Sequence, residues 1–130
     1  EIRIVNRTRS RAEALAEAIG IKAAVSDDID AALAGAALII NATSLGMAGQ
    51  DRLEPDFARC ARGALAFDMV YTPLQTGFLK AAAGAGLRTA DGLTMLIGQA
   101  QPGFEAFFGV KPPADEEVRS ILERRLGARS

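Results

Sequence analysis

The chain has 130 residues, 49% hydrophobic and 24% charged, the make-up of one globular domain rather than of a disordered segment. Fifteen Lys+Arg against 16 Asp+Glu leave a net charge of -1, without the basic surplus that nucleic-acid binding calls for. The absence of His excludes Ser-His-Asp and Cys-His catalysis and His-ligated metals, and the lone Cys60 excludes an intramolecular disulfide.

Ile2, Ile4 and Val5 predict a short strand over 2–5. Thr8 then stands where a cap would open a helix over about 9–19, with Ala12, Leu15, Ala16 and Ile19 at helical spacing and Gly20 as its stop. A second strand over 22–25 follows, then a short helix starting at Asp27 or Asp28 and ending near Gly35. Residues 37–40 are almost wholly apolar, as a strand covered on both faces requires. A loop over 41–49 leads to a weak helix after Pro55, a buried strand over 64–67 and a break at Thr72-Pro73. A helix over about 74–83, a strand over 87–90 and a long helix from Asp91-Gly92 come next. Pro102 is expected to kink or divide that long helix, and a charged helix over about 115–126 closes the chain.

Strands alternating with helices of crossover length predict a parallel α/β sheet, whose ligands bind beyond the carboxyl ends of the strands. Four loops therefore carry the chemistry. After the first strand, Asn6-Arg7-Thr8-Arg9-Ser10-Arg11 brings three arginines and no acid to a helix start. Guanidinium forks there suit a ribose 2′-phosphate, while a merely solvated helix start accounts for the same residues. After the third strand, Asn41-Ala42-Thr43-Ser44-Leu45-Gly46-Met47 is either a close-approach ligand loop or an ordinary Asx- and Gly-stabilised turn.

After the fourth strand, Tyr71, the only tyrosine, offers a phenol to a substrate hydroxyl or carboxylate. Asp68 reads as a group that satisfies backbone donors at the strand end, not as a base. After the last strand, Met95 and Gln99 share a helix face; Gln99 either hides a satisfied amide or presents it to a ligand, and Met95 alone reads as core. Gly84-Ala85-Gly86 follows a helix and precedes a strand, the reverse of the order a phosphate loop needs.

Taken together and in this order, N-R-T-x-x-R, N-A-T-S-x-G-M, D-M-V-Y-x-P-x-x-T and D-G-x-x-M-L-x-x-Q-A, followed by Phe104 and Gly109, resemble the shikimate dehydrogenase family from Ile2 to about Gly109. The resemblance implies a Rossmann-like parallel sheet with helices on both faces, incomplete at its N-terminal end. It also implies that residues 1–130 are part of the family's C-terminal NADP-binding domain. Asn6, Arg7, Thr8 and Arg11 would hold the adenosine ribose and its 2′-phosphate, with Thr8 in place of Asp marking the NADP-using branch. Asn41, Thr43, Ser44 and Met47 would line the middle of the dinucleotide. Met69, Val70, Gly92 and Met95 would border the nicotinamide, the Gly92 carbonyl being available to its amide. Tyr71 and Gln99 would face the substrate.

The implied reaction of the intact enzyme is reversible reduction of 3-dehydroshikimate to shikimate with NADPH, in the cytoplasm, with no nucleic-acid or membrane partner; a homodimer is compatible. The family's catalytic Lys–Asp pair belongs to an N-terminal substrate domain that this chain does not match, so no catalytic or metal residue is assigned here. Glu1 in place of Met, and no Gly-rich loop before it, lead us to expect a fragment that is inactive alone and self-associates through uncovered strand edges. A quinate-type relative and a non-catalytic nucleotide-binding module are the competing readings.

Overall fold

The computed structural model describes residues 1–20, 22–113 and 116–127. Its order is β1 (Ile2–Val5), α1 (Arg9–Ala18), β2 (Ala23–Ser26), α2 (Ile29–Leu33), β3 (Leu38–Asn41), a single 3₁₀ turn at Phe57–Arg59, β4 (Leu65–Asp68), α3 (Gly77–Gly84), β5 (Arg88–Ala90), α4 (Gly92–Phe108) and α5 (Glu116–Gly127).

The strand pairs of the described residues are parallel, as the alternation of elements predicts, and they form two sheets. β1 pairs with β2 from Ile2↔Ala23 to Val5↔Ser26. β3, β4 and β5 form the other sheet in that order, with Leu38 opposite Leu65 and Leu65 opposite Arg88. β1 and β3 each bond on one side only and do not bond to each other, in keeping with the expected sheet that is incomplete at its N-terminal end. The bridge between the sheets is α2 and its flanks. Arg3 donates to the Ala32 and Ala34 carbonyls at 3.0 and 2.6 Å, while the Gly35 N–H donates to the Arg59 carbonyl at 2.8 Å.

The larger sheet carries the core. Ala66 on β4 and Phe78, Leu79 and Ala82 on α3 pack with Phe57 of the 3₁₀ turn, all nearly or wholly without solvent exposure. Phe57 and Phe78 meet edge to face with centroids 5.2 Å apart, a preferred aromatic geometry. Around the smaller sheet, Ala12 and Leu33 are the fully buried hydrophobic residues among those described.

Two local expectations are revised. α3 starts at Gly77 rather than 74, because Thr76 takes the cap and its hydroxyl accepts from the Leu79 N–H. α4 runs through Pro102 undivided to Gly109, which ends it at φ 71° in the left-handed region. The residue whose carbonyl a proline ring crowds in a helix lies four back; here it is Gly98, and the helix continues past it. The closing helix starts at Glu116, and Asp115 lies outside the described residues.

Candidate functional site

Parallel pairing brings the ends of β1, β3, β4 and β5 out as Val5, Asn41, Asp68 and Ala90, and the loops singled out above follow them. At the first, Asn6 Oδ1 accepts from the Thr8 N–H at 2.9 Å and turns the chain into α1. Thr8 occupies the cap position, but its hydroxyl makes no cap bond, contrary to the expected capping role. No acid lies in the first turn of α1. Arg9 is engaged by Glu13 at 2.9 Å, whereas Arg7 and Arg11 are exposed and, among the described residues, have no hydrogen-bond or ion-pair partner. Two guanidinium groups and uncapped helix N–H groups thus stand open at one strand exit, an arrangement suited to a dianion.

The second loop is wound around Asn41, which is only 2% exposed. Asn41 Nδ2 donates to the Leu45 carbonyl at 3.2 Å and to Asp68 Oδ1 at 3.0 Å. Its Oδ1 accepts from the Thr43 N–H and from the Thr43 hydroxyl, at 3.1 and 2.7 Å. The Asn41 amide therefore fastens the loop from beneath, leaving Thr43, Ser44 and Met47 on the exposed side.

Asp68 is fully buried, with both oxygens occupied. Oδ1 accepts from Asn41 and from the Val70 N–H at 3.0 Å, and Oδ2 accepts from the Thr76 hydroxyl at 2.6 Å. One carboxylate thereby ties the exits of β3 and β4 to the cap of α3. The structural reading of Asp68 holds.

At the fourth loop Asp91 caps α4, accepting from the Thr94 N–H at 3.0 Å. Gly92 sits hard against the preceding loop: its N–H donates to the Val70 carbonyl at 3.2 Å, and an added Cβ would lie 2.3 Å from the Met69 carbonyl oxygen. No side chain fits there. The backbone-to-backbone approach is what demands glycine at this helix start.

Between these loops lies a cleft of about 170 Å³, lined by Ala42, Thr43, Met47, Met69, Val70 and Tyr71, with Thr72 at its edge. It is smaller than the roughly 300–1,000 Å³ of whole-ligand pockets, and suits one end of an extended ligand. The Tyr71 phenol is 43% exposed with no hydrogen-bond partner among the described residues. Gln99 is likewise exposed and unpartnered, so its amide is presented rather than hidden. Ser44, Gly92, Met95 and Gln99 do not line this cleft, and Met95 is half-buried on α4. Thr76, present in the sequence motif D-M-V-Y-x-P-x-x-T only as its last letter, and Arg119 are structural residues to which sequence reasoning gave no role. A hydroxyl two residues ahead of Phe78 was the available signal for Thr76; Arg119 had none.

Among the described residues no helix is long and apolar enough to cross a membrane, and no cluster of His, Cys, Asp and Glu could hold a metal ion.

No family model matches the chain. It is nevertheless similar along nearly its whole length to NADP-dependent shikimate dehydrogenases. That of Afipia carboxidovorans is 47% identical over 127 residues, 96% of this chain and 46% of the relative. That of Sphingopyxis alaskensis is 48% identical over 124 residues, 94% and 45% of the two chains. Among solved structures, the shikimate 5-dehydrogenase of Thermus thermophilus in complex with NADP(H) and shikimate matches with a TM-score of 0.74 at 32% identity, covering 97% of this chain and 46% of that one. The quinate dehydrogenase of Corynebacterium glutamicum in complex with NAD matches with a TM-score of 0.73 at 31% identity, covering 87% and 43%. The shared architecture is Rossmann-like, and the chain spans a little under half the length of these relatives.

Proposed function

We propose that this chain is the NADP-binding portion of a shikimate dehydrogenase, which reversibly reduces 3-dehydroshikimate to shikimate in the cytoplasm. The observation that carries the reading is the pair of unpartnered guanidinium groups, Arg7 and Arg11, at a strand exit without an acid. A dinucleotide fold that prefers the unphosphorylated cofactor usually places an acid there for the ribose hydroxyls. Asn6, Arg7, Thr8 and Arg11 hold the adenosine ribose with its 2′-phosphate. The dinucleotide then passes the loop of Asn41, Thr43, Ser44 and Met47.

Met69 and Val70, with Gly92 and Met95, would hold the nicotinamide end at the cleft, and Tyr71 and Gln99 would face the substrate. The residues fit: the cleft is mostly apolar and of a size for one ring. When bound, the nicotinamide gives or receives the hydride, and the protein's part is orientation. Well-aligned encounters of this kind contribute about 7–11 kcal/mol at most by effective-molarity arguments. The proton-transfer groups, a Lys–Asp pair, and the grip on the substrate carboxylate belong to an N-terminal substrate domain outside this chain.

The double variant Arg7→Ala/Arg11→Ala in the full-length enzyme tests the reading. The KM for NADPH should rise about 10- to 100-fold, the loss of about 1.5–3 kcal/mol expected for charge-assisted bonds to a phosphate, while that for NADH stays within about threefold. Equal losses for both cofactors overturn it. A second reading, a quinate dehydrogenase, draws on the similarity to the Corynebacterium glutamicum enzyme. Turnover of quinate in preference to shikimate by the full-length protein would favour it.

A further inference from the structure

The last helix, α5, grips the start of α4 and borders a cleft beside the Tyr71 loop. Arg119, on α5, donates through Nη1 to Asp91 Oδ1 at 3.2 Å and through Nη2 to Asp91 Oδ2, a two-pronged grip on one carboxylate. The same Nη1 reaches the Thr94 hydroxyl at 3.0 Å, and Glu123 holds Nε from behind at 2.8 Å. The contact is largely shielded, the Asp91 side chain being 11% exposed and that of Arg119 25%. Two carboxylates thus hold the guanidinium plane, and Arg119 meets Asp91 across 28 residues of sequence.

Asp91 is the cap of α4, and the next residue is the glycine seated on the Met69–Val70 backbone. Displacing Asp91 displaces Gly92, and with it the wall of the cleft that Met69 and Val70 form. On the other side of that loop, Glu123 and Leu126 of α5 border a second cleft of about 160 Å³ together with Tyr71 and Leu74. The helix therefore braces the start of α4 and borders the loop that carries the phenol across that second cleft.

We infer that Arg119 is a positioning residue for the hydride-transfer end of the site. It acts through Asp91 to hold Gly92, Met69 and Val70 at the depth the nicotinamide ring requires. The inference rests on the NADP-binding reading above and extends it to a helix far from the cofactor loops in sequence. Arg119 touches neither cofactor nor substrate; it sets where their common wall stands. Because the adenosine-phosphate end is held separately at β1, loss of the grip should leave affinity largely intact and spoil alignment. An ångström of misplacement can cost about 100-fold in rate.

The test uses the full-length enzyme with Arg119→Ala, Arg119→Lys and Asp91→Asn, and with Arg125→Ala as a control that removes the same charge from an exposed site on the same helix. For Arg119→Ala we expect kcat for 3-dehydroshikimate reduction to fall about 10- to 100-fold with the KM for NADPH changed less than about threefold. The primary isotope effect with cofactor deuterated at the transferred position should rise. In the absence of substrate, the blue shift of bound NADPH emission should shrink at an unchanged dissociation constant.

Asp91→Asn should follow in the same direction, and Arg119→Lys should recover part of the loss. Arg125→Ala should match wild type. A merely structural role would lower melting temperature and leave kcat per folded molecule, isotope effect and emission as in wild type; that result overturns the inference. Should Arg119→Ala fail to fold, Arg119→Lys and Asp91→Asn decide by the same readouts. Wild-type enzyme that neither binds NADPH nor turns over 3-dehydroshikimate overturns the functional reading and this inference with it; an active wild type with indifferent variants overturns only the latter.

Discussion

At Asp68 a carboxylate has no contact with solvent, yet three donors converge on its two oxygens. Replacing it with Asn puts an N–H₂ where an acceptor is needed and leaves a buried donor unmet. Asp68→Asn should cost about 1–3 kcal/mol of stability, read from chemical denaturation of the intact protein. Gly92→Ala forces a methyl to within 2.3 Å of a backbone oxygen. We expect a loss of about 1–3 kcal/mol, as for overpacking, and a lower kcat because the Met69–Val70 wall must move.

Asp91 carries a pH signature. Burial raises its pKa, but the hydrogen bonds from Arg119 and Thr94 outweigh this and hold it below its ordinary 3.8. A carboxylate depressed in the folded state adds stability above the unfolded value, and that stability drains away as pH falls through the folded value. The melting temperature of wild type should therefore fall below about pH 4, and that component should vanish in Asp91→Asn, a thermal-melt series reading both. Asp68 was legible as a strand-end acceptor because one donor, the Val70 N–H, lies two residues on, whereas its bonds from Asn41 and Thr76 come from positions 27 and 8 residues away. The Arg119 grip was not, since ion pairs between distant segments leave no spacing to read.

Elements were legible in kind and order, with the errors at their margins. Apolar runs and Gly stops place all five strands to within one residue, because a buried strand has little freedom in what it can contain. α3 was placed three residues too early, since Leu74 continues the apolar pattern while the hydroxyl that starts the helix lies at Thr76. The helix expected after Pro55 proved a single 3₁₀ turn, which survives because Phe57 is anchored in the core. Phe78 is that core's largest contribution from α3, and Phe78→Ala should cost about 3–5 kcal/mol. Pro102 is exposed in the interior of α4. Pro102→Ala should raise the melting temperature, recovering part of the ~3 kcal/mol by which proline disfavours a helix interior.

For the molecule as a whole, the strand count, the parallel pairing and the uncovered strand edges were foreseeable from the alternation of elements and the resemblance, whereas which two strands bear those edges is set by pairing that no local pattern encodes. β1 and β3 each present an unpaired edge, and Ile2, Leu38 and Ile40 are each about half exposed. Bare edges with apolar side chains template further pairing. The 130-residue chain on its own should show concentration-dependent sedimentation, and a monodisperse monomer at all concentrations would contradict this.

The slender bridge through α2 bears on how the molecule opens as well. Cooperative units follow buried contact, and the two sheets differ in it: one rests on a cluster of two phenylalanines with Leu79, the other on Ala12 and Leu33. Amide protons of Ile4 and Val25 should exchange with deuterium well before those of Ala66 and Phe67. The end proposed to hold the phosphate would then breathe while the half that shapes the cleft beside Met69 and Val70 stays shut.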